Sequence, residues 1–194
     1  MFNSSRRLVE TKSMHPSVVA LTGSPGTGKS TLASRLKQHG LSVITVEEIA
    51  RDVNALSQSE TGIEVETSKL VHWAWDGGEA CIIDGHLSHH CSIDAIIVLR
   101  CHPSELRQRL RQRDGYSKEK IESNVEWELL SGVWSDIIAL HPQAKVMEFD
   151  TTNQQVSLET ILDFISNSDA SRSVQDSIAD SIDWIRTGNA AESI

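Results

Sequence analysis

One stretch limits the folds open to this chain more than any other: Val18 to Leu36, V-V-A-L-T-G-S-P-G-T-G-K-S-T-L-A-S-R-L. An apolar, β-rich run enters a loop, Gly23-Ser24-Pro25-Gly26-Thr27-Gly28, which leads into Lys29-Ser30-Thr31 and a segment with Leu32 and Leu36 one helical turn apart. Strand, glycine-rich loop and helix form the context in which G-x-x-x-x-G-K-[ST] has physical meaning. Glycines let successive backbone N–H groups turn inward around a phosphate chain, and the helix N-terminus adds partial positive charge there. Lys29 is placed to reach the β- and γ-phosphates of ATP, and the Ser30 hydroxyl to complete the coordination of Mg²⁺.

At 194 residues the chain suits one α/β domain with a sizeable core. Its net charge of −9 argues against a surface built for broad or sequence-specific contact with nucleic acid. Basic residues are uneven, with Arg100, Arg107, Arg109, Arg111 and Arg113 crowding one stretch, where the second half of a phosphate site is expected. Three cysteines, Cys81, Cys91 and Cys101, form no C-x-x-C pair and read as reduced core thiols of a cytoplasmic protein. The first residues lack the apolar run of a signal peptide, and no stretch reaches membrane length.

Apolar runs at Val18–Leu21, Leu41–Val46, Ala80–Asp84, Ala95–Leu99 and Lys145–Asp150 alternate with helical patterns, which implies a five-stranded parallel sheet with helices on both faces and a ligand crevice at the strands' carboxyl ends. Leu56 to Glu66 reads as a mobile loop, and Val65 to Trp75 as a helical stripe. Ile121, Val125, Leu129, Val133 and Ile137 recur every four residues and predict one long helix. Val174, Ile178, Ile182 and Ile185 predict a terminal amphipathic helix, with packing against the domain favoured over partner docking. The chain divides into a flexible extension over 1–16, a P-loop domain over 17–166, and a linker with terminal helix over 167–194.

Asp84, ending an apolar strand after the P-loop, is the natural acid to hold Mg²⁺ opposite Ser30. In Asp84-Gly85-His86, the imidazole falls beside that acid and near the γ-phosphate, where it could orient or deprotonate an acceptor. The run His86-Leu87-Ser88-His89-His90-Cys91 admits a metal site, although polar loop or turn-capping residues are the commoner fate of His89 and His90. The stretch Gln112 to Ser123 is the lid candidate, with Arg113 to meet ATP phosphates on closure and Arg109 and Arg111 as weaker candidates. Residues 46–62 offer the acceptor nucleotide a place, with Arg51 to clamp its phosphate. Trp75 and Trp134 read as core, and Trp73 and Trp127 as lining a nucleotide or partner face.

Taken together, T-G-S-P-G-T-G-K-S-T, E-E-I-A-R, I-I-D-G-H-L-S-H, V-L-R-C-H-P-S-E-L-R-Q-R-L and G-Y-S-K-E-K-I-E-S-N-V-E-W-E resemble the adenylate kinase isoenzyme-six family. Its members are also described as the coilin-interacting nuclear ATPase and as a factor in small-subunit ribosome maturation. The D-G-H-L-S-H form looks like the archaeal branch. The resemblance implies a nucleoside monophosphate kinase fold, ATP:AMP phosphotransfer with Mg²⁺-dependent ATPase activity, and ATP contacts from Gly26, Gly28, Lys29, Ser30, Thr31 and Arg113. It implies a role in hydrolysis for Asp84 and His86, and the small-subunit ribosomal protein uS11 as a partner. Two departures stand out: Asp114 intervenes in the lid sequence Arg113-Asp114-Gly115-Tyr116, and Glu47-Glu48 follows strand two where many kinases carry Gly-Asp.

Overall fold

The computed structural model describes residues 18–59, 62–167 and 171–186; the expected extension over 1–16 lies outside them. Five strands, β1 (Val18–Thr22), β2 (Ser42–Thr45), β5 (Cys81–Asp84), β6 (Ala95–Arg100) and β7 (Lys145–Asp150), pair in parallel in the order β2-β5-β1-β6-β7. Parallel strands need crossover helices and are covered on both faces, so their sequences read as continuous apolar runs. Alternate residues of the central strands feed opposite layers. Val19, Leu21, Ile97 and Leu99 pack with α1 (Lys29–Gln38) and α7 (Leu158–Ser166), whereas Ala20, Ile96 and Val98 pack with α6 (Gly132–Leu140) and Val174.

Local chemistry fixes the element ends. Thr45 and Glu48 form a reciprocal capping box that starts α2 (Val46–Asp52), which accounts for the second of the two acids after strand two, while Glu47 pairs with Arg51. Pro103 begins α4 (Pro103–Arg111), where its missing N–H costs nothing, and the His102 ring accepts a hydrogen bond from the Ser104 N–H. Ser157 caps α7.

Four segments differ from the sequence reading. The supposed loop after Leu56 contains an antiparallel pair, β3 (Leu56–Ser59) with β4 (Gly62–Val65). The stripe expected through Trp75 stops early: α3 covers only Thr67–Leu70, and Trp73 and Trp75 lie beyond it as stacked, half-buried rings 6.2 Å apart. The long helix is two, α5 (Lys118–Leu129) and α6, broken where Ser131 adopts a left-handed φ of 53°. The terminal helix shortens to α8 (Val174–Ser177) and a 3-10 turn, Ile178–Asp180. This segment packs on the domain as expected, but through Val174 and Trp184, while Ile185 faces solvent.

The break at Ser131 and the path of the tail share a cause, Arg100, a fully buried cation at the end of β6. Its Nε donates to Glu128 Oε1 at 2.6 Å, its Nη1 to Glu148 Oε1 and the Ile182 carbonyl at 2.9 and 3.0 Å, and its Nη2 to the Glu128 carbonyl and Ser131 Oγ at 2.9 and 3.1 Å. Ending α5 at Leu129 leaves the Glu128 carbonyl to accept both Arg100 and the Ser131 N–H, the latter at 3.1 Å, and the turn at Ser131 brings in the hydroxyl. All three cysteines are free and buried. Burial pushes the Cys81 thiol up to about 11 and those of Cys91 and Cys101 to about 12, as expected of inert core thiols.

Removing one member of a buried, hydrogen-bonded ion pair strands the other in a low-dielectric site. Arg100→Ala should therefore lower unfolding free energy by about 3–5 kcal/mol. Urea denaturation followed by circular dichroism measures this; a change under about 1 kcal/mol would mean that water reaches Glu128 and Glu148 freely.

Candidate functional site

The β1 strand delivers Gly23 to the carboxyl edge of the sheet, where the chain must pass against β6. A Cβ on Gly23 would lie 2.1 Å from the Leu99 carbonyl oxygen, so only glycine fits. Gly26 and Gly28 both take φ of 97°, curving the loop so that its amides line a concavity at the start of α1. Thr27 braces it, donating its hydroxyl to the Ser24 carbonyl at 2.9 Å.

Lys29 folds back beneath this loop. Its Nζ donates to the carbonyls of Gly23 and Ser24 at 2.8 and 2.9 Å. Burial lowers its pKa to about 8; Arg113 adds to the effect, while Asp84 and Glu128 oppose it. The Asp84 carboxylate stands at the end of β5, in register with Leu21 and Thr45, and is hydrogen-bonded to Ser30. Burial raises its pKa, and the Ser30 bond and the Lys29 charge pull the other way. Lys29, Ser30 and Asp84 thus lie together at the carboxyl edge of the sheet. The Ser30 hydroxyl and the Asp84 carboxylate present the hard oxygen donors that suit Mg²⁺.

Gly85 turns the chain against Val46, whose Cγ2 would be 2.5 Å from an added Cβ. Beyond it His86 is exposed to solvent beside the site, and its pKa is lowered by partial desolvation and by the positive charges of Lys29 and Lys120 and the nearby His90, which favours the neutral imidazole.

A cavity opens on each side of the loop. One, of about 400 Å³, is lined by Thr27, Gly28, Thr31, Arg109, Thr152 and Gln155 among others. Arg109 is held there by Glu105 at 2.9 Å and by the carbonyls of Thr151 and Thr152 at 2.9 and 2.8 Å. The other, of about 360 Å³, is bordered by Gly23, Pro25, His86, His89, Asn124 and Trp127 among others. Trp127 thus borders this cavity, 46% exposed.

The arginine cluster disperses rather than forming one phosphate site. Arg100 is structural, Arg107 pairs with Glu122, and Arg113 is exposed but close enough for its charge to act on Lys29. Arg51 is exposed, pairs with Glu47 one turn away, and lines neither cavity. His89, His90 and Asp136 bring ligand atoms within 4.8 Å of one another, but Cys91 turns into the core and is not of the group. His89 is already engaged, by Thr22 Oγ1 at 2.8 Å and Asp136 Oδ2 at 3.3 Å, and burial drives its pKa to about 4. Sequence reasoning missed Glu128, which binds the loop, and the turn 151–156 after β7; its only signal was the carboxyl end of a parallel strand. Among the described residues no helix is long and apolar enough to cross a membrane.

Residues 19–131 match the AAA domain family. "Putative adenylate kinase" of Archaeoglobus fulgidus is 40% identical over 151 residues, covering 76% of this chain and 79% of the relative. The protein of that name from Pyrococcus abyssi is 37% identical over 140 residues, covering 71% and 76%, and that of Methanocaldococcus jannaschii 32% over 154 residues, covering 76% and 82%. Deoxyadenosine kinase from M. mycoides overlays with a TM-score of 0.46 at 18% identity, covering 78% of this chain and 98% of that one, too distant an overlay to speak for this site.

With its pKa near 8, Lys29 is charged at neutral pH and loses its proton as the pH rises above that value. Phosphate oxygens beside Nζ would favour the charged form, so binding a nucleoside triphosphate should take up a proton near pH 9 and almost none near pH 7. Calorimetry in two buffers of different ionisation enthalpy reads this uptake; equal heats near pH 9 would place the lysine away from the phosphates.

Proposed function

Because the chain belongs to the AAA domain family and to the family of these archaeal adenylate kinase relatives, we propose that it is a nucleotide kinase that transfers the γ-phosphoryl group of ATP to AMP. The observation that carries the reading is the pair of cavities flanking a P-loop whose buried Lys29 lies between them.

In this reading the first cavity takes the nucleoside of ATP against Arg109 and the turn 151–156, and the loop amides with Lys29, Thr31 and Arg113 take its phosphates. Lys29 exchanges the Gly23 and Ser24 carbonyls for phosphate oxygens. Ser30 and Asp84 would hold Mg²⁺, which when bound neutralises charge on the phosphates. AMP occupies the second cavity, with Trp127 available for its base. This moves the acceptor from Arg51 toward His86 and Asn124, and leaves Arg51 a role only if α2 swings inward. An oxygen of the AMP phosphate attacks Pγ, the bond from Pγ to the β,γ-bridging oxygen breaks, and two ADP result.

That attack needs no general base, because the AMP phosphate is already anionic at neutral pH. Water does need one. A neutral His86 beside the site can accept its proton, which assigns this residue to the competing ATPase reaction. ADP should therefore form at least about tenfold faster with AMP present than with ATP alone, measured with a coupled assay. His86→Ala should reduce phosphate release by about 100-fold, and AMP-dependent transfer, which loses only a wall of the acceptor cavity, by much less. No stimulation by AMP would end the kinase reading, and unchanged ATPase activity would remove the role of His86.

A second reading, favoured by the net charge of −9, adds a basic partner such as uS11 to the same nucleotide cycle. Pull-down of uS11 should succeed at low salt and weaken when ATP and Mg²⁺ are added; no capture would dismiss it.

A further inference from the structure

The last described residues of the chain reach the P-loop through one buried carboxylate. Glu128 Oε2 accepts the Ser24 hydroxyl at 2.6 Å, and Oε1 accepts Arg100 Nε at 2.6 Å, the Trp184 indole N–H at 3.1 Å and the Cys101 N–H at 3.2 Å. Ser24, Glu128 and Trp184 are 2%, 1% and 5% exposed, so water does not substitute for these contacts. Ser24 in turn offers its carbonyl to Lys29. The contacts thus run without a gap from Trp184 to Glu128, to Ser24, to Lys29.

We propose that Glu128 and Trp184 are positioning residues for the P-loop, so that the docked C-terminal segment sets how tightly the loop holds ATP. The inference rests on the reading of that loop as the ATP site.

The segment is anchored for such a task. Its backbone bridges β7 at Lys145 and Ser173, and the Val146 N–H donates to the Arg172 carbonyl at 3.1 Å. The Ile182 N–H donates to Glu148 Oε2 at 2.7 Å, and its carbonyl accepts from Arg100 at 3.0 Å. These contacts deliver Trp184 over the ion pair, with its ring 5.8 Å from the Arg100 guanidinium carbon and 5.3 Å from His102. The indole closes the carboxylate off from solvent and supplies one of its four donors.

A carboxylate deprived of a donor and opened to water can turn away from Ser24. The loop then samples arrangements that do not match a triphosphate, and apparent affinity falls by the fraction of molecules in the matching arrangement. Sequence patterning gives no hint of this link, since Glu128 sits where a helical stripe would bury Leu129 and Trp184 lies outside the isoleucine repeat.

The test is a double-mutant cycle on ATP·Mg²⁺ affinity in the full chain, using Trp184→Phe, which keeps a ring and removes the N–H, with Ser24→Ala. Each single change should weaken ATP about 3- to 10-fold, the span of one net hydrogen bond. The double variant should be no weaker than the weaker single one, because both act through the Glu128–Ser24 contact. Multiplying effects, or wild-type affinity in Trp184→Phe with an unchanged urea midpoint, would overturn the proposal. Trp184→Ala alone should weaken ATP further than Trp184→Phe alone, and combined with Ser24→Ala it should weaken ATP no further than Ser24→Ala by itself. Wild-type protein that binds ATP without phosphorylating AMP would sink the kinase reading and leave this cycle decisive; wild-type protein that binds no ATP would sink both.

Discussion

Everything at the carboxyl edge of the sheet depends on how one guanidinium is satisfied. Arg100 has five N–H groups and five acceptors, drawn from α5, the turn after it, β7 and the C-terminal segment. A buried cation with any of these missing is costly, so the requirement dictates where a helix must end, which way Ser131 turns and where the tail must lie. Glu148 shows the same logic from the acidic side, accepting from Arg100, the Trp134 indole and the Ile182 N–H. The cluster carries two carboxylates for one guanidinium, and the two indole N–H donors and the backbone N–H groups offset the surplus.

The P-loop and the carboxylate facing it are organised by a different constraint, that of holding charge ready without discharging it. Lys29 is kept underground, bonded to carbonyls it can surrender, and Asp84 stands across from it on the neighbouring strand. Because both are desolvated, the Lys29 pKa falls to about 8 and that of Asp84 rises, shifts that phosphate beside the one and a cation beside the other would oppose. Glu128 joins the two systems, since one of its oxygens belongs to the structural cluster and the other to the loop.

Most of the scaffold could be read from residue order because parallel strands buried on both faces announce themselves. Cys81-Ile82-Ile83 and Ala95-Ile96-Ile97-Val98-Leu99 have no polar side to confuse the pattern. The P-loop was legible for a related reason: its glycines answer local backbone geometry, as Gly23 against Leu99 shows. The helix break was not legible, because the four-residue period of Ile121 to Ile137 runs straight through it. Only Glu128, a charged residue occupying a core position, distinguishes two helices from one, and pattern reasoning takes a glutamate for surface. Arg100 reads likewise as one of a basic run, whereas five acceptor atoms on four residues distant in sequence claim it. Arg51 suggests itself for the acceptor because α2 follows strand two, whereas the cavity proposed above for AMP is bordered by Trp127 and Asn124 of α5, some seventy residues later.

The reach of the Arg100 cluster also bears on how the molecule comes to exist. Its members are spread from Ser24 near one end of the described chain to Trp184 near the other. A ribosome releases these residues in order, so strands, crossover helices and the glycine loop can assemble while the tail is still being made. Until then Arg100 and Glu148 lack the Ile182 backbone, and Glu128 lacks its indole cover. The nascent domain would thus hold a hydrated ion pair at its centre until the segment carrying Ile182 and Trp184 docks and dries it.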